Sequence, residues 1–233
     1  MILALLSLAS AADVFPSAFN PSAVPFDEGQ RAQVELDAAA YRGNGSFFST
    51  WRSDDVVGGV RAAVDATETV RLTAGVHYWR NTHKSGGSTE VTHTPTATVG
   101  ASFQWLATET VSSRAFVRVG TFAQLGAAVS WRPKGDRWAL DAAWGPGIAL
   151  APQADTSASG QPALVTVIPE LGWSWFIKPG GNSAIRVGLT SVAPTVTARA
   201  GTRHAYIEAT LMPWVPALFE TGAGGQIAVG VVL

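Results

Sequence analysis

Cysteine is absent from the 233-residue chain, which excludes a disulfide scaffold and any Cys-ligated metal site. Charge is scarce: 14% of residues are Asp, Glu, Lys or Arg, against roughly 25% in ordinary soluble domains. The two signs nearly cancel, with 16 Lys and Arg facing 17 Asp and Glu. No basic surplus exists to displace counterions from phosphates, so nucleic acid is excluded as a partner. Long apolar runs are missing as well. A membrane helix needs about 20 mainly apolar residues. Beyond residue 12 no such run occurs; the longest uncharged stretch, 91–108, is rich in Thr and interrupted by His93, Pro95 and Gln104.

What the chain does have is 47% hydrophobic residues, 24 Gly and nine Trp, too much large apolar surface for disorder. Residues 1–12 form an apolar run ending in small residues just before Asp13, and read as a signal peptide. Residues 13–29 contain Pro16, Pro21 and Pro25 among Phe15, Phe19 and Phe26. These prolines exclude a regular helix or a central strand, so the segment is expected to be an extended periplasmic arm, or a plug at a barrel mouth.

From residue 30 onward the apolar positions recur every second residue, the period of a strand. Val34, Leu36 and Ala38 oppose Glu35 and Asp37; Leu72, Ala74, Val76 and Tyr78 oppose Arg71, Thr73 and His77. Val117, Leu125, Val129 and Trp131 oppose Arg118, Gln124 and Arg132, and Ile227, Val229, Val231 and Leu233 close the chain on one face. Turn signals fall at 66–69, 133–136 and 179–182, and longer polar loops are expected at 43–54, 80–93 and 150–162. The alternating segments are 31–42, 55–65, 70–80, 94–106, 113–132, 137–149, 163–178, 184–192, 196–211 and 225–233. That gives about ten strands, with eight to twelve as the range; splitting 113–132 and 196–211 gives twelve.

The polar face decides the class. A soluble sandwich carries abundant Lys, Glu and Arg on its solvent side. Here that face holds one or two charges per strand, of both signs, separated by Gly, Ser and Thr. This suits the inside of a small closed barrel whose apolar face meets lipid. The expected inward side chains are Arg31, Glu35, Asp37, Arg61, Asp65, Arg71, His77, Arg118, Asp141, Glu170, Arg186, His204 and Glu208. Trp79, Trp105, Trp131, Trp138, Trp173 and Trp175 fall near segment ends, where an interfacial aromatic girdle belongs.

With a signal-like start, alternating strands of about ten residues and the C-terminal run 225–233, the chain resembles the bacterial outer-membrane β-barrel proteins. The resemblance covers residues 30–233 and implies an all-β, closed, antiparallel up-and-down transmembrane barrel in the outer membrane. Its implied partners are outer-membrane lipid and, through the last strand, the barrel-assembly machinery. That family usually ends on an aromatic residue; this chain ends on Leu233.

Signals for chemistry are sparse. His77, His83, His93 and His204 show no helical i, i+4 zinc spacing, and no cofactor or metal site is expected. The Gly-rich stretch 221–225 lacks the Lys-Ser/Thr of a phosphate loop. Salt bridges with the arginines are the simpler use of Glu35, Asp37, Asp65, Asp141, Glu170 and Glu208. The expectation is a non-enzymatic barrel, structural or a narrow passage for small molecules. An outer-membrane hydrolase using His77, His83 or His204, and a soluble secreted barrel binding an apolar ligand, are the alternatives. The substrate is not legible in the sequence.

Overall fold

The computed structural model describes residues 32–46, 50–120, 122–134, 137–149, 165–167, 170–177, 183–190, 193–202, 204–217 and 220–233. The expected signal peptide 1–12, the arm 13–29 and Arg31 lie outside the described residues, as does the 150–162 loop.

Twelve strands pair in sequence order. They are β1 (Ala32–Ser46), β2 (Thr50–Asp65), β3 (Val70–Ser85), β4 (Ser88–Ala107), β5 (Val111–Val119) and β6 (Phe122–Trp131). Then come β7 (Trp138–Trp144, continuing as Pro146–Ala149), β8 (Val165–Val167 and Glu170–Phe176), β9 (Ala184–Thr190), β10 (Ala193–Gly201), β11 (Ala205–Ala217) and β12 (Glu220–Val232). Every neighbouring pair is antiparallel, and β12 pairs back onto β1 from Val232↔Gln33 to Glu220↔Gly45, which closes the ring. Among the described residues there is no helix. Closure leaves no sheet edge within the ring, the condition for a strand protein to live in lipid.

The count is twelve because 113–132 and 196–211 each contain a turn. In the first, Arg118 pairs with Gln124 and Val119 with Ala123. Partner positions are therefore both even or both odd, and the alternation runs through the hairpin as if it were one strand. In the second, Val196 pairs with Leu211, so the outward positions switch from even to odd across residues 202–204.

The chain is inside-out relative to a soluble protein. Leu36, Val76, Leu125 and Leu211 are each at least 60% exposed, whereas Gln33, Glu35, Asp55 and Thr210 are at most 2% exposed. At roughly 25 cal/mol per Å², so much apolar surface requires a covering, and a bilayer supplies it. On the first four strands the outward apolar positions span Ala32–Ala40, Val56–Val64, Val70–Tyr78 and Pro95–Trp105. Each is close to the 9–11 residues, roughly, that a tilted strand needs to cross.

The two ends differ. The end that holds Ala32 and Leu233 is made of tight turns. Thr67 Oγ1 accepts the amides of Thr69 and Val70 at 3.2 and 3.0 Å, and Thr108 Oγ1 those of Thr110 and Val111 at 3.3 and 2.9 Å. Both turns are built on the same five residues, Ala-Thr-Glu-Thr-Val, at 66–70 and 107–111. Thr202 makes the third turn of this kind with His204 and Ala205. At the other end, β3 and β4 run on past the apolar band and join through Gly86 (φ 58°) and Gly87 (φ 85°), the left-handed pair of a type I′ hairpin. The expected polar loops 43–54 and 80–93 are thus largely paired strand. They read as loops because a hairpin standing outside the bilayer is wet on both faces and loses its alternation.

Candidate functional site

The barrel interior gathers the titratable side chains. Its largest cluster spans β10 to β3 through the β12–β1 seam. Glu35 on β1 is fully buried and pairs with the Arg61 guanidinium on β2. Tyr206 on β11 donates its hydroxyl to Glu35 and receives the amide of Gln33. Asp37 lies 3.3 Å from Arg61 Nε and 3.4 Å from His77 Nε2, and accepts Gln226 Nε2 at 3.0 Å. Arg199 donates through Nε to Glu208 at 2.8 Å, with its guanidinium carbon 4.2 Å from the Tyr206 ring centre.

These contacts depend on glycine. Glu35 and Tyr206 stand on next-but-one strands, with Gly230 between them; a Cβ on Gly230 would clash with the Tyr206 ring and hydroxyl. A Cβ on Gly59 would strike His77, and one on Gly172 the Arg186 guanidinium that reaches from β9 to Asp141 on β7. Long side chains therefore lie flat across a bare stretch of strand rather than projecting into the bore.

Smaller groups complete the wall. Asp65 receives Arg71 Nε and Nη2 at 2.7 and 3.2 Å. Arg118 Nε donates to Gln124 Oε1 at 2.8 Å. Asp55 accepts Trp79 Nε1 at 2.8 Å and Asn81 Nδ2 at 2.5 Å. Arg114 is 7% exposed on the same inner face, with Asp65 as the opposite charge that acts on it. Burying a charge without a partner is costly, and pairing within the wall meets that cost.

The structure thus puts Glu35, Asp37, Arg61, Asp65, Arg71, His77, Arg118, Asp141, Arg186 and Glu208 on the inner face. Two expectations are corrected. His204 does not point inward: it is exposed in the 202–204 turn, because β11 begins only at Ala205. Trp79 is not part of an outer girdle: it has the inward register of His77 and is held by Asp55. For Glu170 the described structure gives strand pairing, with Ala143 and Thr190. Trp105, Trp131, Trp173 and Trp175 are 43% to 53% exposed on the outer face, and Trp138 meets Trp131 edge-on at 5.2 Å. These five share the tight-turn end.

Sequence reasoning missed Asp55, Arg114, Arg199, Tyr206, Gln33 and Gln226. Asp55 shares the parity of Arg61 and Asp65, and Arg114 that of Arg118, so the strand period could have found them; Arg199 lies before the 202–204 switch, on the opposite parity to Glu208. Tyr206 was hidden by reading aromatic residues as apolar. Among the described residues no three His, Asp or Glu side chains gather as metal ligands.

An apolar exterior, a paired-charge interior and short turns at one end define the outer-membrane type of β-barrel. Comparison with known proteins agrees at the level of fold. The translocator domain of the autotransporter NalP from Neisseria meningitidis is similar over 99% of this chain and 97% of its own, at 12% identity and a TM-score of 0.62. An outer membrane channel from Pseudomonas putida F1 is similar over 92% of this chain and 98% of its own, at 13% identity and a TM-score of 0.64. The toluene transporter TbuX of Ralstonia pickettii covers 94% of both chains at 10% identity, with a TM-score of 0.52. No family model matches the sequence, and no curated protein does.

Proposed function

We propose that this protein is a narrow outer-membrane channel for small polar solutes. The observation that carries the reading is the inner wall, polar and balanced in charge, whose ion pairs join adjacent or next-but-one strands and so run along the wall. Twelve strands fall between the eight or so whose interior side chains fill and the 16–18 or so of open porins, which supports a restricted bore. The fold shared with a bacterial outer membrane channel is consistent with passage. The three histidines of the hydrolase alternative do not come together: His77 lies in the wall beside Asp37, His204 in a turn at one end and His83 in the hairpin at the other.

Planar-bilayer recording tests the reading. The expected result is small, sub-nanosiemens steps. Large, stable, multi-nanosiemens steps would contradict the narrow channel.

A further inference from the structure

On the outer face of β1–β3, immediately beyond the apolar band, stand Arg42, Arg52, Arg80 and Lys84, with Asp54 the one carboxylate among them. They face outward because they share the register of Ala40, Val56 and Tyr78, and the pairings Arg42↔Asp54, Arg52↔Lys84 and Arg80↔Val56 set them side by side. In a chain of net charge −1, four cations meet one anion on a single patch. Asp54 is shared by Arg42 at 2.6 Å and Arg52 at 2.9 Å. Partial burial pushes its carboxyl up, but these hydrogen bonds outweigh that and hold it below the ordinary carboxylate value, so it stays ionised. Among the described residues Arg80 and Lys84 have no carboxylate partner. The Tyr78 hydroxyl and His93 Nδ1 are 2.7 Å apart at the upper edge of the band, where polar-tipped rings mark the headgroup level.

We infer that this patch binds the phosphate groups of a phosphorylated glycolipid in the outer leaflet. It lies at headgroup height, it is cationic where the outer face of the band beside it is apolar, and it stands at the end opposite the tight turns, which in this architecture is the cell-surface end. The inference rests on the outer-membrane reading. Each Lys or Arg near a charged lipid surface contributes appreciably, and the contribution is screened by salt.

The test titrates the full detergent-solubilised barrel with bisphosphorylated lipid A and with its dephosphorylated form, and reads bound lipid by native mass spectrometry. The wild type should prefer the phosphorylated form by about tenfold or more, and Arg80→Glu with Lys84→Glu should abolish the preference. Equal binding of the two lipids, or an unchanged preference in the double variant, overturns the inference. Displacement by millimolar inorganic phosphate would show a free-anion site instead and overturns it too. A wild-type measurement covers the case of a variant that does not fold. Raising ionic strength from about 0.05 to about 0.5 M should weaken binding of the phosphorylated lipid, and an unchanged affinity contradicts the proposal. Heat-modifiable gel migration tests the barrel reading separately. A barrel that migrates so and yet ignores the lipid phosphates defeats this inference alone.

Discussion

The wall contact between Glu35 and Arg61 shows how a buried charge is tolerated in this barrel. Both side chains are nearly inaccessible, and each has a further partner, Tyr206 for Glu35 and Asp37 for Arg61. Arg61→Met leaves Glu35 and Asp37 without the cation they share, and removing one partner of a buried pair costs about 3–5 kcal/mol. The expected outcome is a loss of that order in urea unfolding from lipid vesicles. Adding Glu35→Gln should restore part of it, because the uncompensated charge is then gone. An unaffected Arg61→Met barrel would mean that the pair contributes nothing. Asp54, outside the bilayer, makes a test by pH. Its carboxyl is held below its ordinary value of 3.8, so its pairing with Arg42 and Arg52 contributes above that pH and is lost as pH falls through the lower, folded value. An NMR titration should place its midpoint below 3.8, and Arg42→Gln should move the midpoint up.

At the scale of the element, the same turn recurs where the chain must reverse within three or four residues. A threonine hydroxyl accepts two successive amides at 67 and again at 108, local hydrogen bonding that short-chain hydroxyl residues supply and aliphatic ones do not. Thr108→Val keeps the β-branched shape and removes the acceptor. It should cost about 1 kcal/mol in the same unfolding assay, and a cost near zero would make the hydroxyl dispensable. The strands themselves were readable because one residue in two faces lipid and must be apolar. Their number was harder to read. The hairpin between β5 and β6 preserves parity across Gly120, so nothing in the period marks it. The parity switch at 202–204 was present in the sequence and is the sign that 196–211 holds two strands. Beyond the bilayer the period fails altogether, since the upper hairpin of β3 and β4 is solvated on both sides.

At the scale of the whole molecule, the scarcity of charge reflects geometry. The outer face excludes charge across the apolar band, and the inner face has room only for pairs that lie along the wall over glycine. Inward residues such as Asp37, Arg186 and Glu208 could be found from the strand period alone. The glycines that let them reach across could not, because Gly59, Gly172 and Gly230 matter only once β1–β3, β7–β9 and β11–β1 are known to be two strands apart. The central claim is that alternate residues of one strand face lipid and an aqueous lumen, and the absence of native cysteine makes it directly testable. Single cysteines at Thr96, Ala97, Thr98 and Val99 of β4 can be challenged, in the membrane-inserted barrel, with a small water-soluble thiol reagent and with a lipid-soluble one. Val99 is 59% exposed and Ala97 shares its face, while Thr96 and Thr98 turn inward. Labelling is expected from water at Thr96 and Thr98 and from lipid at Ala97 and Val99. Labelling without alternation, or with the two faces exchanged, would contradict that claim.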